Sequence, residues 1–516
     1  AKTNESQDNY RVGFSSDYRP PIATYNPPAS QDPNFKIHEP NYITPYWVDA
    51  LFMENGQSIV DDMLSINDST LLFAFPIEKP SYIPVEILGW MPANEKMQTA
   101  SKQIFNTLEQ VLNIKFEEVN DVYALNVVAV SQSIQAGTAG FSYFPNSHYQ
   151  LGSDVFLSRE YSNPYFLSNE LTNYDYEILV HEIGHALGLK HPFEGDGSND
   201  TVLTVTEDNT AHTAMSYDSH SFSFDGTFRA LDWMALTKLY GVNASYASGN
   251  DTYEFSQAEG IFIIDGAGID TIDCMNSSQN LFIDLRPGAH SYQGSKSSFI
   301  TTENQLTISH GSDIENVKTG SGNDTVIGND LDNLLSTLNG NDIIFAGNGV
   351  DIILPGLGED VIDLSEDIQS EDTLIFDITS TGKNAKTVYG FEQEADGDVI
   401  KFENLEISGL NFLPLVDASH APIGYIDKCL VRIFGDQLNS EDDLKKHFSE
   451  EGILQNLKLS KSEFAIMISS NSQDTGETQN LYTLTEQTGD IEIISVGKFL
   501  GNYLDIDNWV PDNFLV

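Results

Sequence analysis

Apolar residues recur at helical spacing over 95–112, where Met97, Ala100, Ile104, Leu108 and Val111 form one stripe; the pattern predicts an amphipathic helix. A second such stretch, 229–240, carries Leu231, Ala235 and Leu239 on its inner face and is closed by Gly241. A third helix is expected over about 174–188, with Asn173 or Asp175 as its N-cap. The short apolar runs Leu71–Phe75 and Leu125–Val130 read as strands, and the glycine-rich run Gly137–Phe144 reads as a strand at a sheet edge. After about residue 245 the helical period gives way to a nine-residue one. Beyond 370, short alternating runs such as Thr373–Phe376, Val399–Phe402 and Ile491–Ile494 predict an all-β region, broken by a helical patch at 441–448. Four parts are expected: a proline-bearing extended arm or pro-segment remnant (1–40), an α+β domain (41–245), a repeat domain (246–405) and a β-rich C-terminal region (406–516).

The third helix carries the clearest chemistry. Residues 181–191 read His-Glu-Ile-Gly-His-Ala-Leu-Gly-Leu-Lys-His, or H-E-x-x-H-x-x-G-x-x-H. His181 and His185 are one helical turn apart and share a face. Gly188 can end the helix in a left-handed conformation and bring His191 round as a third ligand. Three imidazoles suit one zinc ion and leave its fourth position for water, the catalytic arrangement. Glu182 then stands beside that water as general base. A core helix with satisfied polar residues is the plain alternative, and it has no use for three histidines at these spacings.

The nine-residue period is carried by Asp324, Asn333, Asp342, Asp351 and Asp360. Two residues before them stand Gly322, Leu331, Gly340, Gly349 and Gly358, and two residues after them Val326, Leu335, Ile344, Ile353 and Ile362. The nonapeptide pattern G-G-x-G-x-D-x-U-x points its apolar residue into a narrow core and turns glycine carbonyls and aspartate toward calcium, a cation that takes oxygen ligands. Gly320, Gly347 and Gly356 belong to the same turns. If nine residues make half a coil, Asp324, Asp342 and Asp360 line one row and Asn333 and Asp351 the other. Leu331 and Asn333 make the second repeat degenerate and its site weaker. Upstream, Asp265, Gly266, Gly268 and Asp270 form an isolated copy of the pattern.

The composition narrows the setting. The chain has 516 residues, 40% of them hydrophobic, which is enough for several folded domains. Lys and Arg number 25 against 77 Asp and Glu, a net charge of −52, which excludes nucleic acid and anionic membrane surfaces as partners. Two distant cysteines, Cys274 and Cys429, exclude a disulfide-rich scaffold; two buried thiols are expected, with one long-range bridge as the alternative. No apolar run of about 18 residues predicts a membrane span. The first residues carry no apolar signal segment, which suits a cytoplasmic chain, a processed form, or export without an N-terminal signal.

Taken together, the H-E-I-G-H-A-L-G-L-K-H run, Met215 in Met-Ser-Tyr and the nonapeptide repeats resemble the serralysin-type metzincin metalloproteases over roughly 45–405. The resemblance implies an α+β metzincin catalytic domain followed by an all-β domain with a parallel β-roll. It implies a secreted zinc endopeptidase, acting as a monomer on protein or peptide substrates. Met215 would form an apolar floor under the zinc ligands. Tyr217 would be a switchable fifth ligand that moves to stabilise the oxyanion. Gly137, Thr138, Ala139 and Gly140 fall in the stretch that resembles the family's substrate-binding edge strand. Export by a type I secretion apparatus is implied too; the end Asp512-Asn513-Phe514-Leu515-Val516 approximates the family's signal, with asparagine where an acid is usual. Two rival readings are a non-catalytic calcium-dependent surface protein with a vestigial zinc site, and a zinc enzyme that cleaves non-peptide amides.

Overall fold

The computed structural model describes most residues from 46 to 403, except short stretches of which 159–172, 219–226 and 378–385 are the longest, and beyond 403 a set of strands. The N-terminal arm, the helical patch at 441–448 and residues 137 and 138 lie outside the described residues.

The first half is built on a mostly parallel sheet. Its strands are β1 (Thr70–Ala74), β2 (Met91–Pro92), β3 (Lys115–Glu118), β4 (Val128–Ser133), β5 (Gly140–Ser142) and β6 (Val155–Ser158). They lie in the order β3-β1-β4-β6-β5, with β2 beside β4. β5 runs antiparallel to β6, pairing Gly140 with Leu157 and Ser142 with Val155, and lies at one edge of the sheet. Among the described residues five helices accompany the sheet: α1 (Tyr46–Asp49), α2 (Gly56–Ile66), α3 (Glu95–Val111), α4 (Asn173–Ala186) and α5 (Ala230–Tyr240). Asn94 caps α3 by accepting from the amides of Lys96 and Met97, and the stripe read from the sequence is buried. α4 begins at Asn173, so Asp175 sits inside its first turn rather than at the cap position. Met97, Leu108, Val130, Leu179, Ile183, Met215 and Leu236 meet in one core between sheet and helices.

The second half is a stack of short parallel strands in two facing sheets. One passes through 282–284, 325–327, 343–345, 361–363 and 386–389, and the other through 271–273, 316–318, 334–336, 352–354, 373–377 and 399–403. Partners eighteen residues apart are in register, Thr325 with Ile343 and Ile343 with Val361. Ile283, Val326, Leu335, Ile344, Ile353, Ile362, Leu374, Val388 and Ile400 are fully buried between the sheets. Each such side chain contributes roughly 1.5–3 kcal/mol by leaving water. Coils this tight need glycine at the turn: Gly358 has φ +143°, and a Cβ there would come 1.5 Å from the Gly340 carbonyl oxygen. Cys274 is a buried free thiol; the side chain of Cys429 is outside the described residues. Among the described residues no helix is long and apolar enough to cross a membrane.

Candidate active site

α4 presents His181 and His185 on one face. The helix ends just after His185, and Gly188 follows at φ +100°, a conformation that an L side chain rarely adopts. The chain reverses there and Leu189 bridges back to Phe52, which carries His191 to the other two histidines. The three Nε2 atoms form a nearly equilateral triangle with sides of 3.0, 3.1 and 3.2 Å. A tetrahedral zinc ion with Zn–N bonds of about 2.0–2.1 Å keeps its ligand atoms roughly 3.3 Å apart, so the triangle fits that ion.

The other ring nitrogens settle the tautomers. His181 Nδ1 donates to the Ala214 carbonyl at 2.8 Å and His185 Nδ1 to the Leu189 carbonyl at 2.6 Å. His191 Nδ1 donates to the Glu194 carboxylate. Each Nε2 is therefore left with its lone pair aimed into the triangle. Burial pushes all three imidazoles below their ordinary range, His181 to about 3, so they are neutral at neutral pH as ligands must be.

Glu182 follows His181 on α4 and is buried. Its Oε2 accepts from Ser142 Oγ on β5 at 2.8 Å. Burial raises its pKa to about 7, against the opposing effect of the Ser142 hydrogen bond. Gly140 makes the room: a Cβ there would stand 2.9 Å from Glu182 Cγ and Oε1. Met215 packs under the helix, its Sδ 2.6 Å from where a Cβ of Gly184 would be. Tyr217 stands at the rim, 53% exposed, with its ring centroid 4.6 Å from that of His191 and 5.5 Å from that of His181. Ala139 and Gly140 are described at the edge strand. His212, three residues before Met215, donates to the Glu207 carbonyl at 2.9 Å and stacks on Phe299.

A buried network supports the histidines from behind. Asp232 on α5 accepts from Thr213 Oγ1 at 2.6 Å and from the amides of Ala214 and Arg229 at 2.8 Å each. It thereby aims the Ala214 carbonyl at His181. Arg229 also donates to Glu177 on α4 at 2.9 Å. On the far side the buried Lys190 amine donates to the carbonyls of Glu194 and Thr201 at 2.9 and 2.8 Å, which orders the polar loop that supplies Glu194. None of Ser142, Glu194 or Asp232 was singled out from the sequence. The spacing of Asp232 from Arg229, a capping pair at the start of α5, was the available signal.

In the second half the repeat aspartates stack in files. Asp324 and Asp342 lend Oδ1 to the amides of Leu281 and Asp324, and Asp351 and Asp372 lend theirs to Asn333 and Asp351. The Oδ2 atoms of Asp270, Asp324, Asp342, Asp351 and Asp372 are buried with no hydrogen-bond partner among the described residues. Such orphaned carboxylate oxygens, beside the turn glycines Gly320, Gly322, Gly340, Gly347, Gly349, Gly356 and Gly358, could hold hard divalent cations. Asn333 offers less: its amide is spent on Asn329, accepting at 2.9 Å and donating at 2.9 Å. Asp265 and Asp270, with Gly266 and Gly268 between them, are joined by Asp251, which the sequence reading missed.

Residues 98–250 match a peptidase family model described as pregnancy-associated plasma protein-A, and residues 235–411 match one described as peptidase M10 serralysin C terminal. A serralysin of Photorhabdus luminescens is 29% identical over 295 residues, 51% of this chain and 59% of that protein. A serralysin of Proteus mirabilis is 29% identical over 280 residues, 47% of this chain and 56% of its own length. Metallopeptidase AprA of Pseudomonas marginalis is 30% identical over 282 residues, 48% and 57%. The chain thus spans a little over half the length of these relatives. The matches run from the histidine triangle into the stacked parallel strands, and over that stretch the chain is similar to serralysin-type metallopeptidases.

Proposed function

We propose that this chain is a secreted zinc-dependent endopeptidase that hydrolyses peptide bonds in extended protein segments. The observation that carries the reading is the triangle of three Nε2 lone pairs, two of them from the helix that also carries the buried Glu182. Zinc held there supplies Lewis acidity and makes water nucleophilic near neutral pH. Glu182 takes the proton of the attacking water and hands it to the leaving amine, while Ser142 holds one carboxylate oxygen in place. Tyr217, at the rim, is assigned two positions: a fifth ligand at rest, and a donor to the carbonyl oxygen as charge builds there. The substrate lies along β5, pairing with main-chain groups at Ala139 and Gly140, and by the family resemblance with Gly137 and Thr138 too, so affinity comes with little sequence preference.

The domain scheme follows from the same reading: a catalytic domain over 41–245, a calcium-binding parallel β-roll over 246–405, and a C-terminal region that serves export by a type I apparatus. Calcium is plentiful outside cells, which suits buried carboxylate oxygens that the protein leaves unpaired. The test is the purified Glu182→Ala variant on casein. It should retain zinc and lose cleavage; undiminished hydrolysis overturns the mechanism, and a wild type with neither zinc nor proteolysis overturns the function.

A further inference from the structure

Two files of stacked residues run along the turns of the second half, and they end differently. Thr325 pairs with Ile343, Ile343 with Val361 and Val361 with Thr387, so Asp324, Asp342, Asp360 and Lys386 occupy equivalent places in successive coils. In the other file Leu334 pairs with Ile352, Ile352 with Thr373 and Thr373 with Val399, which stacks Asn333, Asp351, Asp372 and Asp398. Lys386 therefore stands where the opposite file has an aspartate.

Its amine is not turned to solvent. The Lys386 side chain is 3% exposed. Its Nζ donates to the carbonyls of Gly356 at 2.7 Å and Gly358 at 2.9 Å, and to Asp360 Oδ2. An ammonium has three donors, and these three oxygens take them all. Two turn carbonyls and one carboxylate are also the kind of oxygen set that calcium selects. The contrast within the file is direct: among the described residues Oδ2 of Asp324 and of Asp342 is buried without a hydrogen-bond partner, and Oδ2 of Asp360 has one.

We propose that Lys386 is a built-in cation that replaces the last divalent ion of this file, so that the coil 356–363 closes without calcium. The proposal rests on the reading of the files as calcium sites. The ammonium and a calcium ion cannot share the oxygens, because calcium needs them at about 2.3–2.6 Å around its own centre. A tethered charge is always present, whatever the free calcium concentration. The coils before it gain their cations only as calcium rises. The C-terminal end of the stack is then a fixed edge against which those coils order.

The test counts calcium bound to the full chain, by calorimetric titration and by metal analysis after dialysis, in wild type, Lys386→Met and Lys386→Asp. Lys386→Asp restores the aspartate of the file and should bind one calcium more than wild type. Lys386→Met should lose protection from hydrogen exchange at 356–363 in chelator and regain it with calcium. A second measurement needs only wild type: in chelator, amides of 356–363 should stay protected while those of 322–327 exchange. Equal stoichiometry in Lys386→Asp, or equal loss of protection in both segments of wild type, overturns the proposal alone. A wild type that binds no calcium overturns the calcium reading itself and the proposal with it.

Discussion

Ser142 Oγ on the edge strand donates to Glu182 Oε2 on the zinc-site helix at 2.8 Å, and both residues are buried. The hydrogen bond leaves Oε1 as the oxygen for proton transfer and fixes its direction. A bond to a charged acceptor is worth about 1.5–3 kcal/mol. Part of that is lost to relaxation, so Ser142→Ala should lower kcat/KM about tenfold. Zinc content should not change, since Ser142 touches no histidine in the triangle. An unaltered rate at full zinc occupancy would show that Glu182 needs no such anchor.

Gly140 tests the same contact from the other side. A methyl at this position would come 2.9 Å from Glu182 Cγ and Oε1 and 3.0 Å from Ile178 Cγ2. Overpacking of this kind costs roughly 1–3 kcal/mol, and here it is relieved most easily by moving the carboxylate. Gly140→Ala should therefore lose activity more than a hundredfold, as expected when a reacting group is displaced by about 1 Å. Zinc binding should persist. The check is kcat/KM beside metal content and a denaturant melt; a fully active variant would place the proton transfer on another group.

Asp232 is the support with the longest reach. It is buried, its carboxyl is raised to about 6 by that burial, and it satisfies three donors around the Ala214 carbonyl. Asp232→Asn turns an acceptor into a donor facing N–H groups, which costs about 1–3 kcal/mol for each group left unpaired. Loss of this kind of outer support typically weakens metal binding by about 10–100-fold. Competition with a chromogenic chelator measures it. Wild-type zinc affinity in Asp232→Asn would break the link from Asp232 through Ala214 to His181.

The sequence made the histidine spacing and the nine-residue ladder legible because both are local. One helix turn or one half-coil sets each, so no distant contact is needed to read it. The partners of Glu182 and His181 come from elsewhere: Ser142 lies forty residues before Glu182, and Asp232 more than forty after His181. Only the packing of α4 on β5 and α5 joins them. Asp372 and Asp398 escaped for another reason. They follow Asp351 by 21 residues and Asp372 by 26, so inserted loops hide the period while the coil register survives. Their local signature did survive: Asp372-Thr373-Leu374 and Asp398-Val399-Ile400 repeat the form of Asp324-Thr325-Val326.

That register yields a pH prediction for the protein without calcium. Burial raises Asp342 to about 7, Asp351 to about 8 and Asp372 to about 9, with neighbouring carboxylates adding to the rise. A carboxyl whose folded pKa lies above its unfolded value near 4 favours the fold while it is protonated. That contribution is whole below about pH 4 and is lost as pH climbs through about 7 to 9. In chelator, the transition that calcium stabilises should therefore melt higher at pH 5.5 than at pH 8.5. Added calcium should substitute for acid, restoring the melt most at pH 8.5, where the carboxylates are charged and calcium competes least with protons. Scanning calorimetry at the two pH values, with and without calcium, reads both effects. A chelated protein that melts higher at pH 8.5 would mean that the file carboxylates are paired by groups of the chain itself, and that calcium is not what holds the coils.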